Sequence, residues 1–225
     1  MTQPTTTHTA RYRNDGGSFA PEGALHAPTF LRNSPPIIAA LTPLFQGMRG
    51  PVLEIGSGTG QHAAALQLAF RGARIVPTDP DALHRQSIDT WAAHLKTGTA
   101  PALDLDASLP WHARHDVKAQ GPLDAIISMN VIHIAPVSVL DNILTAAAAL
   151  LAPKGLVVFY GPFRENGQHT GAGNAAFDEG LRAENPEWGV RDLTQIVADA
   201  MTVGLECHSI IAMPANNRLL ILQKP

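Results

Sequence analysis

One stretch constrains this chain more than any other: Val52-Leu53-Glu54-Ile55-Gly56-Ser57-Gly58-Thr59-Gly60-Gln61. A short apolar run carrying one acid breaks into three glycines at alternate positions, and a helical pattern follows at residues 62–70. Strand, tight turn and helix in that order form the opening unit of a doubly wound α/β fold. Glycines in such a turn open backbone angles closed to other residues and let a ligand approach the main chain. The helix start then presents N–H groups that have no partner within the helix.

Glycine spacing narrows the ligand. A dinucleotide-binding turn reads G-x-G-x-x-G, whereas here the pattern is G-x-G-x-G and Gln61 stands where that last glycine belongs. Glu54 lies two residues before Gly56 and completes Glu-x-Gly-x-Gly-x-Gly. This resembles motif I of class I methyltransferases, which bind S-adenosylmethionine. The loop is therefore expected to hold an amino acid and a sulfonium rather than a pyrophosphate.

The remaining chain alternates strand and helix. Residues 73–79 read as a second strand ending in Asp79, which lies 23 residues after Gly56. Nucleotide-binding units place a ribose carboxylate near that spacing, and Asp81 suits the cap of a helix over 82–95. A third strand is expected at 100–105, with Asp104 and Asp106. The near-continuous apolar run at 123–130 fits a buried parallel strand. A helix over 136–151, a strand at 156–160, a helix over 174–184 and an Asp192-capped helix to residue 203 follow, then two strands at 205–213 and 218–222. Ahead of the glycine loop, Asn33 or Ser34 is expected to cap a helix over 37–45, with Pro43 shortening or kinking it. This alternation implies a mainly parallel sheet with its ligand at the carboxyl edge.

A length of 225 residues suits one domain. We expect a disordered tail over residues 1–20 and a single domain over 21–225, with an insertion on the substrate side at about 161–192. The net charge is −3 and no Lys/Arg run occurs, so nucleic acid is not an expected partner. No apolar stretch is long enough for a bilayer and no apolar signal core opens the chain, which points to a cytoplasmic protein. The single Cys207 leaves no internal disulfide framework or cysteine-based metal site, and is expected to pack in a late strand. His112, His115 and Asp116 lie close together, but no further ligand is placed by sequence, so no metal site is expected. Composition sets no oligomeric state.

The second half carries a more specific resemblance. Tyr160-Gly161-Pro162-Phe163, Asn166-Gly167, Asn174 with Phe177-Asp178, Asn185-Pro186-Glu187-Trp188-Gly189 with Arg191-Asp192, and Met213-Pro214-Ala215-Asn216-Asn217 occur in this order. With Ser57-Gly58-Thr59-Gly60-Gln61-His62 and Arg32-Asn33 at the front, they resemble a family of small methyltransferase-like proteins of unknown function that includes human methyltransferase-like 26. The resemblance covers about residue 30 to the end; the lead-in Ala27-Pro28-Thr29-Phe30 departs from it. It implies a class I S-adenosylmethionine-dependent methyltransferase fold: a Rossmann-like, seven-stranded, mostly parallel sheet with a terminal antiparallel strand and helices on both faces.

The resemblance also implies roles. Glu54, Gly56, Ser57, Gly58 and Gly60 would hold the methionine part of S-adenosylmethionine, and Asp79 its ribose. Asp104 and Leu105 would meet the adenine, with Asp106 the rival acid. Asn130 would line the cofactor beside its methyl group, and Arg32 and Asn33 would reach its carboxylate. His133 and Tyr160, at the ends of two strands, are the candidate bases. Phe163, Asn166, Asn174, Trp188, Arg191, Asn216 and Asn217 are the candidate substrate wall. Arg164 or Arg191 would pair with a carboxylate or phosphate on a small polar acceptor. The expected activity is methyl transfer to such a molecule, and the alternative is a non-catalytic cofactor-binding sensor or scaffold.

Overall fold

The computed structural model describes residues 20–225. The tail expected at the N-terminus lies, up to residue 19, outside the described residues. Seven strands form one sheet in the order β3-β2-β1-β4-β5-β9-β8. These are β1 (Pro51–Ile55), β2 (Arg74–Asp79), β3 (Leu103–Asp104), β4 (Leu123–Met129), β5 (Leu151–Pro162), β8 (Glu206–Ala212) and β9 (Asn217–Gln223). Strands β3, β2, β1, β4 and β5 pair in parallel, and β9 runs antiparallel between β5 and β8. A separate hairpin of two-residue strands, β6 (Arg164–Glu165) with β7 (Gln168–His169), follows β5, and a single-turn helix, α4 (His115–Lys118), precedes β4.

Strand alternation sends side chains to two cores. On β5, Val157 and Phe159 join Leu220, Ile143 of α5 (Val137–Leu150) and Ile196 of α7 (Leu193–Thr202) on one face. Val158 and Tyr160 join Ile221, Leu66 of α2 (Gln61–Ala69) and Leu41 of α1 (Phe30–Phe45) on the other. The central strands are buried on both faces, which is why β1 and β4 read as nearly continuous apolar runs. Helix α3 (Ala82–Leu95) starts as its sequence predicts: the Asp81 carboxylate accepts from the Leu83 N–H at 2.7 Å and the His84 N–H at 3.3 Å. Asp192 caps α7 in the same way through the Thr194 N–H.

Some expectations fail locally. Helix α1 begins at Phe30, behind Thr29, so Asn33 and Ser34 lie inside it and do not cap it. Pro35, Pro36 and Pro43 are also inside it. Each removes a donor, but Ile37, Leu41 and Phe45 bury one stripe against the sheet, and tertiary packing sustains the helix. Strand β3 holds only two residues, and β5 is much longer than the predicted 156–160. Cys207 lies in a late strand as expected but is exposed, because β8 is the outer edge of the sheet.

In the expected insertion, the β6–β7 hairpin and α6 (Ala172–Glu184) lead to the loop at 185–192. Asp178 of α6 anchors that loop, its Oδ1 accepting from the Val190 N–H at 2.7 Å and from Arg182 Nε at 3.1 Å. Ahead of α1, residues 20–29 lie as a strap across α2 and α3. The Leu25 N–H donates to Ser87 Oγ, the Ala27 N–H to Gln61 Oε1, and Trp91 Nε1 to the Leu25 carbonyl.

Gly60 shows how tightly the first turn is packed. Its φ is +85°, and a Cβ placed on it would stand 2.5 Å from Ile88 Cα in α3. Gly98 has a similar φ of +72° with nothing within 4 Å. Gly60→Ala should therefore cost about 3 kcal/mol or more, combining strain with overpacking, and Gly98→Ala about 1 kcal/mol from strain alone. Urea unfolding of both variants checks the difference; equal losses would remove packing from the account.

Candidate functional site

At the carboxyl ends of β1 and β4 the strand order reverses, and a cleft opens there. It has two compartments, of about 550 and 1210 Å³, which share Gly56, Met129, Asn130 and Ile134. The smaller is lined by Gly58, Asp79, His84, Leu105 and Asp106 among others. The larger takes in Arg32, Asn33, Glu54, Ser57, His133 and Asn217, with the strap residues Ala27, Pro28 and Thr29 at its mouth.

The glycine loop is pinned from below. The Ser57 N–H donates to the Thr78 carbonyl at 2.9 Å, and Thr78 Oγ1 returns a bond to the Glu54 carbonyl at 2.9 Å. Asp79 is buried, with Oδ2 accepting from the Gly58 N–H at 2.9 Å and Oδ1 from the Asp81 N–H at 2.9 Å. His84 Nδ1 lies 3.0 Å from the same Oδ1. The carboxylate thus faces the smaller compartment in a fixed orientation.

Glu54 is the unusual group. Its side chain is buried, it lines the larger compartment, and its Oε2 has no hydrogen-bond partner among the described residues. Burial pushes its carboxyl up to about 7, against an opposing hydrogen bond from Ser57 and with the charge of Asp79 adding to the rise. His62 and His133, on the wall of the same compartment, are both pushed down to about 4 by burial, with the charge of Arg191 adding to the shift of His133. Near neutral pH both imidazoles are uncharged.

The candidate residues divide cleanly. Arg32, Asn33, Glu54, Gly56, Ser57, Gly58, Asp79, Leu105, Asn130, His133, Asn174 and Asn217 line the cleft. Gly60 does not; it serves the contact of the turn with α3. Asp104 is turned away, its side chain 70% exposed and 3.2 Å from Arg85. Leu105 and the rival acid Asp106 reach the cleft. Tyr160 lies behind the wall, its hydroxyl accepting from Asn217 Nδ2 at 3.0 Å, and burial raises its phenol.

The insertion requires larger corrections. Phe163 is buried in the core. Asn166 has φ +51° at the turn of the β6–β7 hairpin and bonds Thr194. Trp188 packs on Leu181, Val190 and Ile134. Arg191 is engaged by main-chain carbonyls: Nε donates to Ile132 at 3.0 Å, and Nη2 to Ala135 at 2.6 Å and Glu187 at 2.9 Å. Asn216 offers its own carbonyl to Thr170 and Asn174. None of these five side chains lines the cleft. Its aromatic wall is Phe177, whose ring lies edge-on to His133 at 5.6 Å. The residue occurs in the sequence motif, but nothing in its spacing distinguishes a wall residue from a core one.

Comparison with known proteins places the chain. A family model described as a protein of unknown function, DUF938, matches residues 25–224. The chain belongs to the DUF938 family. Among solved structures, this DUF938 protein is similar to an O-methyltransferase family protein from Burkholderia thailandensis, at a TM-score of 0.72 and 15% identity over 87% of this chain and 57% of that one. It is also similar to human N-acetylserotonin methyltransferase in complex with SAM, at 0.66 and 13% over 87% and 52%. A third is a putative sarcosine dimethylglycine methyltransferase from Galdieria sulphuraria, at 0.64 and 12% over 84% of both chains. The chain thus spans little more than half the length of the first two. The fold is that of class I methyltransferases, with its terminal antiparallel strand in place. Among the described residues no group of three or more His, Cys, Asp or Glu is arranged for a metal, and no helix is long and apolar enough to cross a membrane.

Two outcomes follow from this geometry. Arg191→Ala should lower stability by about 2–3 kcal/mol in urea unfolding, since it frees three carbonyls, two of them beneath the His133 turn. Glu54 holds a proton in the folded state between its ordinary 4.5 and about 7, so its contribution to stability falls as pH rises through that window. His62 and His133 act in the opposite sense, their contribution falling as pH drops from 6.5 to about 4. Glu54→Gln isolates the first effect: its melting-point advantage over wild type should grow from about pH 5 to about pH 8. A constant difference would mean that Glu54 is not buried as described.

Proposed function

We propose that this protein is an S-adenosylmethionine-dependent methyltransferase acting on a small polar molecule. The observation that carries the reading is the unpartnered, buried Oε2 of Glu54 beside the glycine loop. With Asp79 at the next strand end, it puts two buried carboxyls on the floor of the cleft. Such a floor repels a pyrophosphate and accepts a ligand carrying ammonium and sulfonium charge. The fold and the match to motif I support the same reading. A net charge of −3 also favours a small-molecule partner over nucleic acid.

In this reading Glu54 takes the amino group of the cofactor, Arg32 and Asn33 its carboxylate, and Asp79 its ribose hydroxyls. Asp106, with Leu105, lies where the adenine would rest, and Asn130 stands at the junction of the two compartments. When bound, the cofactor supplies a methyl group on sulfur that is already a strong electrophile. The protein then mainly aligns an acceptor and excludes water. The strap and α1 form one side of the larger compartment, and His133, Asn174, Phe177 and Asn217 the other. His133, neutral at physiological pH, takes part as a hydrogen-bonding group in the acceptor space.

A second reading, a non-catalytic cofactor sensor, draws on the weakness of the available bases: His133 is pushed down to about 4, and the phenol of Tyr160 is bonded to Asn217. Turnover with labelled cofactor separates the two readings. S-adenosylhomocysteine should raise the melting point, as a ligand of the native state does, and NAD should not. Asp79→Ala should weaken that binding by about 1.5–3 kcal/mol in calorimetry while preserving the fold. Charging Glu54 against the ligand amino group should release a proton, so affinity should rise with pH through about 7. A shift with NAD alone would overturn the assignment.

A further inference from the structure

The acceptor side of the larger compartment differs in charge from what a substrate-gripping arginine would require. Three arginines of the insertion and of β9 are engaged away from this space. Arg191 bonds three carbonyls, Arg182 pairs with Asp178, and Arg218, at the start of β9, pairs with Glu165 at 2.6 Å. Arg164 lines neither compartment. The titratable groups that do line the larger compartment are Arg32, Glu54, His62 and His133. Arg32, with its Nε donating to Asn33 Oδ1 at 3.1 Å, is assigned to the cofactor carboxylate, and both histidines are neutral near pH 7.

The amides facing that space are oriented. Asn174 Nδ2 donates to Thr170 Oγ1 at 2.8 Å and to the Asn216 carbonyl at 3.3 Å. A carbonyl can only accept, so the nitrogen must be the atom that faces it, and Asn174 Oδ1 is left as an acceptor. Asn217 gives one amide hydrogen to the Tyr160 hydroxyl, and its Oδ1 and second amide hydrogen have no partner among the described residues. The ring nitrogens of His133 likewise take no hydrogen bond among the described residues, and in the neutral ring one is an acceptor and the other a donor. Between these groups stands Phe177, 43% exposed, with Pro162 and Ala215 as further apolar wall.

We infer that this wall selects an acceptor molecule with an apolar body and an uncharged or cationic donor group, a hydroxyl or an amine, and rejects carboxylates and phosphates. Free carbonyl oxygens beside an aromatic face favour O–H and N–H groups and tolerate positive charge. An anion would meet those lone pairs with no cation beyond Arg32, which the cofactor carboxylate takes, and its desolvation would go uncompensated. The inference rests on the methyltransferase reading and narrows its substrate. It also replaces the anionic acceptor that the insertion arginines imply in the sequence.

The test uses the full chain saturated with S-adenosylhomocysteine and three probes that differ only in their head group: benzylamine, benzyl alcohol and benzoate. Calorimetry should show benzylamine or benzyl alcohol binding at least about tenfold more tightly than benzoate. In Asn174→Leu, which removes the Oδ1 acceptor together with the bonds to Thr170 and Asn216 and adds no charge, the preference should shrink while the affinity for S-adenosylhomocysteine is unchanged. Benzoate binding as tightly as the other two overturns the inference, and so does failure of all three to bind. Either result leaves the cofactor reading standing, because S-adenosylhomocysteine is already bound. If S-adenosylhomocysteine itself does not bind, the methyltransferase reading falls and the substrate class falls with it.

Discussion

The architecture depends on the divergence of the chain at β1 and β4. These neighbours run parallel, yet α2 leaves β1 on one face of the sheet and α5 leaves β4 on the other. Backbone cannot fill the wedge between two helices departing in opposite directions, so a crevice is forced at the carboxyl edge. Much of its floor comes from strand ends and the loops after them. Glu54 and Asp79 stand at the carboxyl ends of β1 and β2, while Asn130 and His133 follow β4; the strap, α1 and α6 add the side walls. Chemistry gathers there because of topology, before any side chain is chosen.

Burial suppresses charge on three groups of that crevice. Glu54 is raised to about 7 and His62 and His133 are lowered to about 4, each chiefly by burial, so near pH 7 Glu54 is only partly ionised and both imidazoles are neutral. Asp79 is held by two backbone N–H groups and faced by His84. A site of this kind leaves the entering ligand to decide the final protonation of Glu54. The neutral imidazoles and amides of its wall recognise a ligand through the direction of hydrogen bonds more than through long-range attraction.

Local signals in the sequence carried far. The glycine loop, the caps at Asp81 and Asp192, the apolar runs of β1 and β4 and the closing hairpin each follow from residues near in sequence, and the structure contains them. Asp104 and Asp106 show where such signals end: the same residue type two positions apart, one facing Arg85 and the other the cleft. A strand two residues long gives no alternation from which to tell them apart. Trp188 and Arg191 fail for another reason. Their partners, Ile134, Ile132 and Ala135, lie more than fifty positions away, and a residue suited to gripping substrate is equally suited to gripping a turn. Phe177 has the converse history: a helical residue with core-like spacing, left partly exposed because its neighbour is a cleft.

The packing of the glycine loop bears on how such a chain diverges. A Cβ at Gly56 would stand 2.7 Å from Val131 Cγ2, and one at Gly60 would press on the backbone of α3. Neither collision involves a ligand. A descendant that had lost every affinity for nucleosides would still be obliged to keep both glycines in order to close its own fold. The first and last glycines of the motif are therefore a record of architecture, and would survive in a lineage gone silent. Glu54 carries the opposite message: a carboxyl buried without a full set of partners burdens folding, and drift would be quick to replace it once nothing arrived to meet it.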